Sequence, residues 1–394
     1  MPPPLLIRDV RLVHPGRAIV VGDLLARDGA IAAVGRVSAA DTARATVIEG
    51  RGRLLTPGLI DVHTHGVMHS LYEHGARGLA AAARELGRFG VTTVLPTIIP
   101  RPTEEMFTCL AEISAALPAT RGVNTPGLHL EGPFMAIGGA ACPTLPGDLA
   151  LLERLLDTCG GRVAAMSVSP DAPNILPVIR RLRARGIVVF LTHTRASTDQ
   201  TEAALDAGAT HATHFYDVFP VPAETEPGAR PVGAVESILA DPRASVDFIC
   251  DGVHVHPTAI RAALAAKGWQ GVILITDSNI GAGLPAGVYD TPWGFPIRVS
   301  PETAARHATK GTLAGSALTM DRGIANLHRW LRLPPEQIWA MGTLNPARLL
   351  GLGRKGRLEP GADADLVLWD DGFVPAATWV NGQLSYEKEA SPVL

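Results

Sequence analysis

Cysteine is scarce and scattered in this chain. Cys109, Cys142, Cys159 and Cys250 form no Cys-x-x-Cys pair, which argues against both a disulfide framework and a thiolate zinc site. No apolar run reaches the roughly 18 residues that a membrane span needs. Basic blocks and basic faces interleaved with aromatics are also missing, and the net charge is −3, so neither membrane nor nucleic acid is an expected partner. The opening Met1-Pro2-Pro3-Pro4-Leu5-Leu6-Ile7-Arg8 lacks the charged, apolar and small-residue regions of a signal peptide, and a cytoplasmic location is expected. Low-complexity segments and short-period repeats are absent.

What the chain does have is a hydrophobic fraction of 46% over 394 residues, spread as short apolar runs between Ala/Leu/Arg-rich stretches, the pattern of a soluble α/β protein. That length exceeds one ordinary core but fits a barrel of about 250 residues or more with a small appended domain. Strand-like runs occur at Leu59–His63, Val91–Pro96, Gly127–Leu130, Ala164–Val168, Ile187–Leu191, Ala209–Thr213, Val246–Cys250 and Val272–Thr276. Helical stretches such as Leu79–Phe89, Thr103–Ala116, Leu176–Arg185 and Ile260–Ala266 fall between successive runs. Eight such units predict a parallel (β/α)8 TIM-type barrel.

The two ends read differently. Short strands at Leu5–Ile7, Arg11–Val13, Ala18–Val21 and Ala30–Val34 surround Asp28-Gly29, and the C-terminus offers Gly356–Leu358, Ala364–Trp369 and Thr378–Leu384 around Asn381-Gly382. Both dipeptides are hairpin signals. The ends are predicted to pair into one small β-sandwich domain, residues 1–54 plus 355–394, leaving 55–354 as the catalytic barrel.

The chemistry gathers at strand ends. Leu54-Leu55-Thr56-Pro57-Gly58 reads as a turn feeding a buried strand, after which His63 and His65 stand at i and i+2 and leave it on one face. Glu131 follows the third run, His193 the fifth, His214 the sixth, His254 the seventh and Asp277 the eighth. Each has a bland reading: a lone histidine is more often core or surface, Glu131 fits a turn, and Asp277 fits a helix cap. His129, His211 and His307 are assigned no role on that ground. The bland readings do not explain why all the others fall at the C-terminal ends of strands, which in a barrel converge on one mouth.

Histidine and carboxylate donors without thiolate, His63, His65, Glu131, His193, His214 and Asp277, suit a divalent metal, zinc first, with iron, manganese or others open, as one or two ions. A carboxylate such as Glu131 can bridge two ions, and bound water then ionises near neutral pH. Asp277 is the natural proton shuttle between that water and a departing amine, while His254 binds substrate or steadies an oxyanion.

The motifs Thr56-Pro57-Gly58-Leu59-Ile60-Asp61-Val62-His63-Thr64-His65-Gly66, His129-Leu130-Glu131-Gly132-Pro133-Phe134, Ala212-Thr213-His214-Phe215-Tyr216, Asp251-Gly252-Val253-His254-Val255, Thr276-Asp277, Leu313-Ala314-Gly315-Ser316-Ala317-Leu318-Thr319-Met320 and Asn345-Pro346-Ala347 cover nearly the whole chain. In order and spacing they resemble the amidohydrolase superfamily and, within it, the N-acetylglucosamine-6-phosphate deacetylases. The resemblance implies a barrel with a β domain from both termini, metal ligands at Glu131, His193 and His214, a second metal on His63 and His65 as in some members, and Asp277 as catalytic acid/base. It also implies a homodimer and a substrate contact from His254.

Two departures concern the substrate. Family members carry Asn-Ala after the His-Phe-Tyr, and an Arg before Glu-Pro-Gly, to hold a sugar phosphate; here these positions read Asp217-Val218 and Thr225. A carboxylate in place of an amide and a lost guanidinium disfavour a phosphate dianion, unless Arg195 or Arg230 substitutes from another direction. After Glu131 the family's substrate-contacting His is missing, and Cys142 there reads either as a small buried residue or as a replacement contact. The Gly/Pro-rich segment 278–311, with Tyr289, Trp293 and Phe295, reads as a lid whose aromatics stack on a sugar or pack the loop. The expected activity is metal-dependent removal of an acyl group from an N-acetylated amino sugar, phosphorylated or not. The alternatives are another superfamily hydrolase, of a cyclic amide, N-acyl amino acid or phosphoester, or a catalytically silent binding protein on this scaffold.

Overall fold

Alternating apolar residues and two turn dipeptides shape the N-terminal segment. In the computed structural model, which describes residues 3–38, 44–139, 142–291, 294–300 and 304–389, it forms β1 (Leu5–His14), β2 (Ala18–Arg27), β3 (Ala30–Gly35), β4 (Thr46–Glu49) and β5 (Leu54–Pro57). The runs expected separately at Leu5–Ile7 and Arg11–Val13 are one strand. An irregularity between Ile7 and Val10, with Asp9 at φ 50°, lets β1 resume its pairing with β2. Asp28 and Gly29 adopt φ of 53° and 79°, the left-handed pair of a two-residue type I′ turn, so β2 and β3 pair from Arg27↔Ala30 outward.

The eight central runs all become strands of one parallel sheet: β6 (Leu59–Thr64), then, after the small hairpin β7 (Gly66–Val67) and β8 (Ser70–Leu71), β9 (Val91–Ile98), β10 (Leu128–Glu131), β11 (Val163–Val168), β12 (Val188–Leu191), β13 (His211–Ala212), β14 (Ser245–Ile249) and β15 (Val272–Ile275). Every residue of β6, β9, β10 and β15 is buried, as expected for strands covered by helices outside and by side chains inside. The first and last strands close the ring just beyond β15, where Asp277 N donates to His63 O at 2.8 Å and His65 N to Ser278 O at 2.7 Å. Thr276 Oγ1 adds a 2.6 Å bond to Asp61 Oδ2. Helices fill the connections, among them Gly75–Leu86, Glu104–Ala116, Ile175–Ala184 and Pro257–Lys267. Thr103 caps the second of these by accepting from Met106 N at 3.3 Å.

The described residues of the lid-like segment form a meander of β16 (Gly287–Tyr289), β17 (Ile297–Val299), β18 (Ala304–His307) and β19 (Leu313–Ser316). Ile280, Ile297, Val299, Ala305, Ala314 and Ala317 give it an interior of its own together with Leu71. Trp293 lies outside the described residues. Ser316 N donates to Asp277 O at 3.2 Å and Asn279 N to Ser316 O at 3.2 Å, so the meander is joined to the end of the last barrel strand.

β20 (Leu366–Trp369), β21 (Pro375–Val380) and β22 (Gln383–Glu387) return to the first sheet, whose order is β22-β21-β20-β5-β1-β2-β3 with β4 beside β1. This completes the barrel plus a small β-sandwich from both termini. Strand alternation couples the two: Leu366 and Leu368 enter the sandwich interior, while Val367 and Trp369 enter the barrel's outer core. Trp369 Nε1 donates to Thr56 Oγ1 at 2.8 Å, which satisfies the indole in that buried place. Gly356–Leu358, expected as a strand, is a turn. Gly356 at φ 70° approaches Thr343 so closely that a Cβ would lie 2.5 Å from its carbonyl oxygen.

Among the outer helices, His328 stacks on Phe373 with ring centroids 4.6 Å apart and packs against Trp339 at 5.6 Å. Burial pushes its pKa down to about 4. The folded protein therefore holds a neutral ring that the unfolded chain protonates near pH 6.5, and stability from this site is lost as pH falls from there through about 4. Denaturation midpoints measured between pH 7 and 4 are expected to fall less steeply for His328→Phe than for the wild type; equal slopes would refute this.

Candidate active site

The closing seam sets the site. His63 ends β6 and His65 follows it, Glu131 ends β10, His193 and His214 follow β12 and β13, and Asp277 follows β15. His193, His214 and Asp277 have φ of 49°, 35° and 48°, so each strand breaks at its ligand and turns the side chain inward. Tyr216 at 76° and Val218 at 55° continue the pattern, the latter uncommon for a β-branched residue.

All six side chains converge. His65 Nε2 is 3.2 Å from Glu131 Oε2 and 3.3 Å from Asp277 Oδ1. His63 Nε2 stands 3.7 and 3.6 Å from the same two oxygens. On the other side, His193 Nε2 and His214 Nε2 are 3.3 and 3.2 Å from Glu131 Oε1. Donors on a tetrahedral ion with bonds of about 2.0–2.1 Å are separated by about 3.3 Å, so these edges have the size of a metal cage. Glu131 has one oxygen in each group, and His63-His65-Glu131 and Glu131-His193-His214 are two groups that could each hold a metal ion.

The outer nitrogens are engaged, which frees the inner ones. His193 Nδ1 donates to Ile137 O at 3.0 Å and His63 Nδ1 meets Thr213 Oγ1 at 2.7 Å. His214 Nδ1 is 3.3 Å from Asp217 O, and its backbone N donates to Asp247, which itself holds His211 at 2.8 Å. Such outer partners orient metal-binding imidazoles. His63 Nε2 is buried with no hydrogen-bond partner, an orphaned donor site that a divalent ion would satisfy. The residues present therefore fit a metal.

The electrostatics agree. Burial pushes the Glu131 carboxyl up, but the His63 ring and hydrogen bonds to His193 and His214 outweigh it and hold the group well below the carboxylate range. Burial pulls His65 and His214 down, yet hydrogen bonds to the carboxylates raise both to about 10. Two buried carboxylates at one point demand positive charge, from protons on these rings or from metal.

A cavity of about 540 Å³ opens above the cage, lined by His65, Glu131, His193, His214 and Asp277 and also by Cys142, Asp217, Val218 and His254. That size accommodates a small molecule. His254 Nδ1 is tied to Asp251 Oδ2 at 2.7 Å, leaving Nε2 for a ligand. Burial raises the Cys142 thiol, and its Sγ sits 4.0 Å from Glu131 O. Gly139 passes over His193 so closely that a Cβ would lie 2.4 Å from Cε1.

Three residues singled out for the substrate lie elsewhere. Thr225 is exposed on the loop after Val218, and Arg195 and Arg230 line a separate recess with Tyr216 and Phe219. Arg230 is paired with Glu236 at 2.6 Å and is 80% exposed; the loop carries it outward from the cage. Sequence reasoning missed Arg101, Glu73 and Asn279, which do line the cavity, together with Phe295, one of the aromatics offered for stacking or loop packing. Arg101 had a signal, since it follows the end of β9 by three residues. His129 is a core histidine, held by Ser167 Oγ at 2.6 Å and Val62 O at 3.1 Å, while His307 stacks on Phe295 at 4.5 Å.

No helix among the described residues is long and apolar enough to cross a membrane. The model of the Amidohydrolase family matches residues 54–385. The chain is 34% identical to an N-acetylglucosamine-6-phosphate deacetylase of Vibrio furnissii over 86% of this chain and 84% of that one. It is 31% identical to an N-acetylgalactosamine-6-phosphate deacetylase of Escherichia coli O157:H7, over 91% and 93%. The crystal structure of N-acetyl-D-glucosamine-6-phosphate deacetylase from Mycobacterium smegmatis superposes with a TM-score of 0.84 at 28% identity, over 96% of this chain and 99% of that one. With its barrel, its sandwich and its histidine–carboxylate cage, the chain belongs to the amidohydrolase family, among the N-acetylglucosamine-6-phosphate deacetylases.

Proposed function

We infer that this hydrolase removes the acetyl group from an N-acetylated amino sugar, and that its preferred sugar carries no phosphate. The carrying observation is the charge around the cavity. Asp217 contributes a carboxylate, Arg195 and Arg230 belong to another recess, and Arg101 is already paired with Glu73 at 2.8 Å. Among the described residues lining the cavity a phosphate dianion would meet no unpaired guanidinium, whereas an uncharged sugar needs none.

His63, His65, Glu131, His193 and His214 would hold one or two divalent ions, zinc first. When bound, a metal there acidifies water and polarises the amide carbonyl. Asp277 accepts a proton from the attacking water and returns it to the sugar nitrogen as the carbon–nitrogen bond breaks, so that acetic acid and a neutral amine form and the acid gives up its proton to solvent as acetate. His254, braced by Asp251, binds the carbonyl oxygen or a sugar hydroxyl. The homodimer implied by the family resemblance, and the cytoplasmic location expected separately, belong to the same proposal; light scattering from the purified protein reads the first, and a monomer would remove it.

Two further outcomes are expected. Purified protein should carry about one to two metal equivalents per chain by elemental analysis. Dialysis against a chelator should abolish activity, metal should restore it, and His65→Asn or His193→Asn should lower the content; a metal-free active enzyme would refute the reading. In amine-release assays on N-acetylglucosamine and N-acetylgalactosamine, with and without the 6-phosphate, the unphosphorylated sugars should be preferred. Asp277→Asn should reduce kcat by about 10²–10⁴-fold with metal retained. Preference for the phosphates would overturn the substrate assignment, and silence on all four would redirect the search to other N-acyl compounds.

A further inference from the structure

Arg101 is the sole lysine or arginine lining the catalytic cavity among the described residues. Its position follows from the barrel: β9 ends at Ile98, and the chain leaves that end toward the mouth. The guanidinium is not free. Nη2 donates to Glu73 Oε2 at 2.8 Å, and Glu73 lines the same cavity from the 3₁₀ turn Tyr72–His74. That turn is fastened on two sides. Tyr72 N donates to the backbone oxygen of His65, a member of the cage, at 2.9 Å, and Cys109 Sγ donates to Glu73 O at 3.3 Å. The Glu73 carboxylate is therefore held near the ligand strand, and Arg101 comes to it.

We propose that Glu73 is a specificity-determining residue: it occupies Arg101, so that the pair reads hydroxyls of an uncharged sugar and withholds the guanidinium from an anionic substituent. The proposal rests on the deacetylase reading above and names the group that sets its substrate. Arginine has five donors in a planar fork, and a single carboxylate contact leaves others facing the cavity. Glu73 supplies an acceptor beside those donors, and together they match a sugar's vicinal hydroxyls, one accepting and the next donating. A phosphate taken up by Arg101 would have to displace Glu73, in a cavity that Asp217 also lines with a carboxylate. The side chains are 40% and 20% exposed, and a pair so open to water is weak. Arg101 is thus releasable: neutralising Glu73 hands it to an anion.

The test uses the metal-loaded enzyme and three variants, Glu73→Gln, Arg101→Gln and the double substitution. For each, kcat/KM is measured on N-acetylglucosamine and on its 6-phosphate, and the affinities for glucosamine and glucosamine 6-phosphate are measured by calorimetry. Glu73→Gln should raise the phosphorylated-to-unphosphorylated ratio by about tenfold or more, the worth of one charge-assisted contact, chiefly through KM. Adding Arg101→Gln should erase that gain. Arg101→Gln alone should raise KM for the uncharged sugar and leave kcat near the wild-type value. An unchanged ratio in Glu73→Gln, or a gain that survives loss of Arg101, overturns the proposal. So does a fall in melting temperature in the Arg101 variant with KM unaltered, which marks a structural clamp. A wild type that already prefers the 6-phosphate defeats the substrate assignment instead, and the Glu73 proposal then stands or falls on whether the ratio moves. If no sugar is turned over, the two affinities still report that ratio.

Discussion

One seam carries the architecture: the backbone bonds from Asp277 N to His63 O and from His65 N to Ser278 O. They close the barrel between its first and last strands. The same bonds fix the distance between the histidine pair on one strand and the carboxylate on the other, so closing the fold and assembling the cage are one event. Asp61 belongs to this seam as well. Its buried carboxylate accepts from Thr276 Oγ1 at 2.6 Å and braces the strand that presents Asp277. On the far side of Asp277, β19 pairs with the same segment, so the meander over the mouth is built onto the closure rather than hung from a loop.

Concentrating two carboxylates and four imidazoles in a buried place is unfavourable unless each group has a partner. The chain meets that requirement in layers. Inner nitrogens face the carboxylates, and outer nitrogens meet a threonine hydroxyl and backbone carbonyls. Below them, His129 is satisfied by Ser167 and Val62, and His211 by Asp247. Asp247 then reaches back to the His214 backbone, so the lower layer supports the upper one. What stays unsatisfied is His63 Nε2, on the inside of the cage. Within the cage the polar deficit thus falls at the point where the chemistry is placed, as expected of a site that trades local stability for function.

Much of this was legible beforehand because it depends on short-range pattern. Apolar runs of four to eight residues between helical stretches mark buried parallel strands, and all eight formed. Asp28-Gly29 and Asn381-Gly382 adopt positive φ at both positions, as the hairpin signal requires. The ligands stood at strand ends, a position a reader can count. Other features had no local sign. β1 runs through an irregularity at Asp9 that looks like a break, and Gly356 is held in a turn by its approach to Thr343. The Gly/Pro-rich stretch after Asp277 reads as a loop, yet its scattered Ile297 and Val299 on β17 and Ala305 on β18 come together to form an interior.

Residue type and order by themselves determined the barrel, the sandwich from both ends and the inward-facing histidines and carboxylates, since periodicity and turn chemistry act within a few residues. Only the tertiary structure decided which charges surround the substrate. Arg195 and Arg230 looked available and face another recess, whereas Arg101, 28 residues from Glu73 in sequence, meets it at the mouth. The physical reason is that a strand end brings its side chain to the mouth, but the partner waiting there arrives on a different turn. That meeting is set by how the loops pack, which no local pattern encodes.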